Sequence, residues 1–284
     1  ILCPPGIGDL SWIYSKLGAL AREQGLWLGT PDGQPRRCAD FARLLPGITW
    51  AGYDPGFTTA WLLANALPDD AGPDDLVPGQ WSLLAANRHL EDGKPLSSWL
   101  PSLPAEYHYT LNLEAEEVLA GEDWLDELPR PILAVYTSNR GKDEHAAWKL
   151  WNAPEWAQVV LTLLARGGSA VFLGAEWDRD RTEDVAQRVS GAGVPVRRLI
   201  GEPLGVALAV LQNSNAAIAY PSGIGILASV LSVPSVMLLP VCLPRLTGYV
   251  DPKDAESGRH RAWCCPAPEA VIEHLRPFVQ GVRV

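Results

Sequence analysis

"LGVALAVLQNSNAAIAYPSGIGILASVLSVPSVMLL", residues 204–239, decides how this chain folds. Residues 204–211 carry apolar side chains at helical spacing, 216–220 form a short apolar run, 224–231 read as a helix again, and 236–239 form a second apolar run. Two short apolar strands joined through a helix must lie parallel, because an antiparallel pair needs only a tight turn. Between the first strand and its helix stands Pro221-Ser222-Gly223. Those three residues are a tight turn with Ser222 as helix cap, or a place where Ser222, Gly223 and the first helical amides hold an anion.

The same alternation extends in both directions. Upstream come strand 132–136, helix 154–166, strand 170–173, helix 179–189 and strand 196–199; downstream, 268–279 reads as a closing helix. Nearer the start, Ile1-Leu2-Cys3 is a short strand, and Leu10, Ile13, Leu17, Leu20 and Ala21 mark the inner face of a helix. Leu26-Trp27-Leu28 and Ile48-Thr49-Trp50 are strands on either side of a helix at 39–45. Residues 52–112, rich in Gly, Pro and Trp, give no firm assignment, and the acidic helix 114–127 leads into Pro129-Arg130-Pro131 as a linker. The expectation is an α/β protein of two doubly wound, Rossmann-like domains, 1–128 and 129–284, facing each other across a cleft. Ligands of such domains sit outside the carboxyl ends of the strands.

Composition narrows the partners. At 284 residues and 47% hydrophobic the chain can bury two ordinary cores, and no apolar run reaches the roughly 20 residues of a membrane span. Residues 1–129 hold 7 Lys+Arg and 19 Asp+Glu, a net of −12; residues 130–284 hold 16 and 14, a net of +2. An acidic front half is a poor surface for nucleic acid or anionic lipid, so a phosphorylated ligand belongs in the back half. Cys3, Cys38, Cys242, Cys264 and Cys265 are odd in number and form no CxxC pair. That pattern argues against a disulfide framework or a zinc site and fits a reducing cytoplasm.

Four loops after strands carry groups with chemistry. Gly6-Ile7-Gly8-Asp9 offers close backbone approach and a carboxylate that caps a helix or accepts a proton. Thr137-Ser138, followed by Lys149, offers hydroxyl donors and a point charge, or a merely polar loop. Gly174-Ala175-Glu176 offers an acceptor for a sugar hydroxyl, or a solvated Glu. Pro221-Ser222-Gly223 is the fourth.

Taken in order, these loops resemble glycosyltransferase family 9, the heptosyltransferase family of the GT-B fold. The GxGD loop is Gly6-Ile7-Gly8-Asp9. The hydroxyl loop and Lys before a Trp-containing helix start are Thr137-Ser138 and Lys149-Leu150-Trp151-Asn152-Ala153-Pro154, and the Gly-acidic loop is Gly174-Ala175-Glu176. The family's Asp-Thr-Gly opening of a helix is matched by Pro221-Ser222-Gly223, with Pro221 in place of Asp and Ser222 in place of Thr. Ile226 stands where the family has His. One charged and one titratable contact are therefore missing.

The resemblance implies a metal-independent inverting transferase with no cofactor, moving a sugar from a nucleotide-diphosphate sugar to an acceptor hydroxyl. The front domain would hold the acceptor and the back domain the donor. Asp9 would be the general base. Gly8, Thr137, Ser138, Lys149, Gly174, Glu176, Ser222 and Gly223 would contact the donor, and His89 and Glu91 are weaker acceptor contacts. The acceptor implied is a glycan, a small molecule or a protein; the acidic front half disfavours nucleic acid. Alternatives are transfer to a modified nucleic-acid base, hydrolysis or epimerisation of a nucleotide-sugar, and a degenerate protein that binds nucleotide-sugars without catalysis.

Overall fold

The computed structural model describes residues 6–30, 35–53, 104–138, 150–240, 242 and 250–281. The chain divides into two compact units, Ile1–Asn112 with Leu243–Tyr249 and Leu113–Cys242 with Val250–Val284. The strand expected at Ile1-Leu2-Cys3, together with His89 and Glu91, lies outside the described residues.

In the first unit, helix α1 (Ile7–Gln24) leads to strand β1 (Leu26–Thr30), helix α2 (Pro35–Ala42) and strand β2 (Ile48–Tyr53). The two strands run parallel, with Leu26 opposite Ile48. Leu10, Ile13, Leu17 and Ala21 are buried as the helical spacing predicts, Leu20 is only half-buried, and Tyr14 joins the buried face. The helix begins earlier than its apolar stripe does. Gly6 is the N-cap and contributes no side-chain hydrogen bond, so Gly8 and Asp9 belong to the first turn and Asp9 is not the cap. The Asp9 side chain itself lies outside the described residues.

The second unit opens with helix α3 (Ala115–Leu125), then strand β3 (Ile132–Tyr136), helix α4 (Ala153–Leu163) and strand β4 (Ser169–Gly174). Helix α5 (Arg179–Gly191), strand β5 (Val196–Ile200), helix α6 (Leu204–Gln212), strand β6 (Ala216–Ala219), helix α7 (Gly223–Val230) and strand β7 (Ser235–Leu239) follow. Helix α8 (Pro252–Ser257), strand β8 (His260–Cys264) and helix α9 (Pro268–Gln280) complete it. All six strands are parallel, in the order β5-β4-β3-β6-β7-β8. Helices cover both faces, with α4, α5 and α9 packed together on one and α3, α6 and α7 on the other. A strand buried on both faces gains nothing from polar alternation, and β6 and β7 accordingly read AAIA and SVMLL, buried throughout.

Helix α3 carries four of the seven acidic residues from Glu114 to Glu127 and looks from its sequence like the end of the acidic front half. Its buried face packs instead on α6 in the second unit. Gly121 permits that closeness: a Cβ there would stand 2.6 Å from the Ala209 Cβ. Gly205 does the same for the Glu117 carboxylate, which lies against the first turn of α6. A negative group there complements the positive end of the helix.

One expectation is overturned. Cys242 and Cys264 form a disulfide, with Cα atoms 5.2 Å apart. The sequence gives no hint of the pairing, because 22 residues intervene and the proximity arises only from the β7–β8 register, which sets Leu239 beside Cys264.

Candidate functional site

The chain reverses its direction of travel through the sheet between β3 and β6. From β3 it moves outward through α4 to β4, and from β6 it moves the other way through α7 to β7, with α4 and α7 on opposite faces. Tyr136 and Ala219 are register partners, so the segments leaving β3 and β6 start side by side. A crevice outside the strand ends forms where the connections diverge in this way, and it is where open α/β sheets bind ligands.

Pro221-Ser222-Gly223 opens into this crevice. Ser222 is the N-cap of α7, in extended conformation, and its Oγ accepts the Gly225 amide at 3.2 Å. Capping uses one lone pair of the hydroxyl and leaves its proton free to donate. The Gly223 and Ile224 amides lie in the first turn, where a helix supplies no carbonyl partner. Hydroxyl and amides together present hydrogen-bond donors at the positive end of the helix dipole, the arrangement that suits a phosphate. Gly225 lets the helix start this close to the strand, since a Cβ would come within 2.9 Å of the Tyr220 carbonyl. The two readings of the serine turn are therefore compatible in one structure: Ser222 caps the helix and still has a donor to offer.

The preceding residue anchors the other side. Tyr220 is buried, and its hydroxyl accepts the Trp151 amide at 2.7 Å. Burial pushes the phenol up to about 12. Tyr220, Trp156 and Trp151 stack edge to face, and the Trp151 indole donates to the Pro266 carbonyl at 3.0 Å. Asn152 and Glu155 close a reciprocal capping box at the start of α4. The chain that emerges at Leu150 is thus pinned next to the crevice. Lys149, immediately before it, lies outside the described residues. A cavity of about 430 Å³ opens beside this cluster, lined by Trp151, Glu155, Tyr220, Leu239 and Cys265 among others.

The remaining expected residues divide. Thr137 is fully buried and shares a hydrogen bond with Thr182 of α5 at 3.2 Å, so its hydroxyl serves the junction of β3 with α5. Ser138, next in the chain and buried, is the last described residue on this exit. Gly174 ends β4, where a Cβ would stand 3.3 Å from the Asp178 Cβ. Glu176 is exposed and forms a two-pronged ion pair with Arg179, both contacts at 2.6 Å, which holds its carboxyl below the usual range.

Asp178 is a residue that the sequence reading passed over. It is 1% exposed, and its Oδ2 accepts both the Ala175 amide at 2.9 Å and the Tyr136 hydroxyl at 3.2 Å. It ties the loop after β4 to the end of β3. The only signal in the sequence is an acidic residue four positions beyond a strand-ending glycine, a spacing too common to single out.

No family model matches the sequence, and no curated protein matches it. Solved structures do. ADP-heptose LPS heptosyltransferase II of E. coli is 14% identical, with 98% of this chain and 97% of that chain covered and a TM-score of 0.66. A glycosyl transferase family 9 protein from Veillonella parvula is 15% identical, covering 96% of this chain and 78% of that one, with a TM-score of 0.50. At such identity the likeness speaks of backbone arrangement, and the chain shares the two-domain GT-B fold of the E. coli enzyme.

Proposed function

We propose that this protein is a glycosyltransferase that takes a nucleotide-diphosphate sugar as donor and transfers the sugar, with inversion, to an acceptor hydroxyl. The observation that carries the reading is the open start of α7 at the crevice where the connections leaving β3 and β6 diverge, with the Ser222 hydroxyl and the Gly223 and Ile224 amides following Tyr220. The fold shared with a heptosyltransferase supports it.

In this mechanism the donor's diphosphate rests on the Ser222 hydroxyl and the two amides, with Ser138 and Lys149 adding a hydroxyl donor and a positive charge. These groups take up the charge that develops on the leaving diphosphate, the service a divalent cation performs elsewhere. Glu176 would receive a hydroxyl of the ribose or sugar once Arg179 yields it. Gly8 allows close approach in the first turn of α1, and Asp9 accepts the proton of the attacking hydroxyl. The acceptor is a neutral glycan, a small molecule or a protein hydroxyl, held by the first unit with His89 and Glu91 as candidate contacts. Pro221 and Ile226 deprive the site of a carboxylate and an imidazole, and so favour a donor recognised through its phosphates and backbone contacts.

Calorimetric titration with nucleoside diphosphates in the presence of a chelator tests the donor site. One nucleotide should bind, and Gly223→Pro should weaken it about tenfold or more by deleting a single charge-assisted amide contact. Proline is tolerated at the first helical position and after an extended residue, so the melting temperature should hold. Asp9→Asn should leave that affinity unchanged while lowering turnover by about 10²–10⁴-fold. Binding that survives Gly223→Pro at full strength places the phosphates elsewhere. Turnover that survives Asp9→Asn removes the base.

A further inference from the structure

Three sulfurs gather at the same carboxyl edge of the sheet. Cys242 follows β7, Cys264 ends β8, and Cys265 is the next residue. Their Sγ atoms all lie within 4.8 Å of one another. Cys242 is exposed, whereas Cys264 and Cys265 are half-buried.

Neighbouring residues of a strand point to opposite faces, so adjacent cysteines should present their sulfurs in opposite directions. Here they do not. The backbone at Cys265 turns left-handed, with φ 42°, and that turn delivers the second sulfur to the first. The conformation disfavours a residue with a Cβ, and the fold holds it with a hydrogen bond from the Cys265 amide to the Leu239 carbonyl at 2.8 Å. The Cys265 thiol donates to the Pro240 carbonyl at 3.3 Å, so an oxygen also borders the cluster.

In the structure Cys242 and Cys264 are joined, and Cys265 stands beside the bond as a third thiol. We propose that the reduced cluster binds a single thiophilic divalent cation of the zinc class through Cys242, Cys264 and Cys265. A dithiol reductant supplies two electrons, leaves as its own disulfide and releases two protein thiols. The three thiols then lose their protons to solvent as the metal binds. Thiolates select zinc over magnesium or calcium, and zinc–sulfur bonds of about 2.3 Å in a tetrahedron put sulfurs about 3.8 Å apart, inside the observed spread. Three sulfurs leave a fourth position for water or the Pro240 carbonyl. The exits of β7 and β8 are thus cross-linked in either redox state, by the disulfide or by the cation. Because Cys265 also lines the cavity beside Tyr220, the state of the cluster is felt there.

The test uses the full chain with Cys3→Ser and Cys38→Ser, leaving only these three cysteines, reduced and handled without oxygen. Cobalt(II) should bind at one equivalent per chain with thiolate-to-metal charge-transfer absorption in the near ultraviolet, and zinc should displace it. Cys265→Ser in that background should remove about a third of the absorption, one thiolate of three, and weaken binding at least about tenfold. Absorption that fails to appear in a chain shown to carry three free thiols, or that is unchanged in Cys265→Ser, overturns the proposal. X-ray absorption on zinc-loaded wild-type protein decides the matter without any variant. Three sulfurs at about 2.3 Å support the site, and fewer than three sulfurs overturn it.

Discussion

The two edges of the six-stranded sheet each carry a serine, and the two serines have opposite fates. At the carboxyl edge Ser222 starts a helix, is partly exposed and keeps a donor free. At the amino edge Ser235 starts β7, is 5% exposed and shares a 2.9 Å hydrogen bond with Nδ1 of His260, whose Nε2 stands 3.5 Å from an Asp254 carboxylate oxygen. By residue type the second set is the more suggestive, since Ser, His and Asp in line resemble a hydrolytic relay. Its serine and histidine are closed off from solvent, however, and no substrate carbonyl can reach them. Helix amides point outward at the carboxyl edge of a parallel sheet, and there an uncrowded serine keeps a donor to offer. Position in the topology outweighs the identity of the side chains.

Variants at the two edges should therefore separate stability from binding. His260→Leu strips Ser235 of its buried partner and leaves the Asp254 carboxylate facing an apolar side chain. It should cost about 1–3 kcal/mol of unfolding free energy, read from urea denaturation, with nucleotide affinity intact. Affinity that falls together with stability would erase the distinction between the edges. Ser222→Ala should cost less stability, about 1 kcal/mol for a lost cap, yet also weaken nucleotide binding. A cap-sized stability loss with unchanged affinity would leave Ser222 as a structural residue, on a par with Ser235.

The same contrast explains what could be read from the sequence. Strand β3 and helices α5 to α7 fall within a residue or two of their sequence limits, because a parallel strand buried on both faces reads as a pure apolar run with polar punctuation. Helix α8 and strand β8 escaped. His260-Arg261-Ala262-Trp263-Cys264 is an edge strand with only His260 fully buried, and its arginine and half-exposed Trp263 break any apolar run. Missing that strand concealed the neighbours of Cys264, and with them the disulfide. At the site, the serine turn was legible because a capping residue and a glycine interrupt apolar sequence. Thr137 was not: whether a hydroxyl after a strand faces a ligand or a helix behind it depends on the Thr182 side chain, 45 residues away. Asp178 works through Tyr136 and Ala175 at distances that only the folded loop creates.

A last expected effect is a pH dependence whose rising limb comes from the first unit and whose falling limb comes from both. Lys16 of α1 is 1% exposed, and burial lowers its amine from 10.5 to about 8. Between those values the unfolded chain binds the proton more tightly than the folded one, so this lysine makes stability rise as pH climbs from about 8 towards 10.5. Tyr220 of the second unit acts in the opposite sense. Its hydroxyl is raised from 10.0 to about 12, so above pH 10 the unfolded phenol ionises first and stability falls through about pH 12. Buried Tyr14 and Tyr109 of the first unit, both raised by desolvation, add to that descent. Urea midpoints measured from pH 7.5 to about 11 should therefore pass through a maximum close to pH 10, where the rising and falling windows meet. Lys16→Met should flatten the rising limb alone, and Tyr220→Phe should soften only the falling one. A rising limb that persists in Lys16→Met would mean that another group, not this buried amine, gives the first unit its alkaline stability.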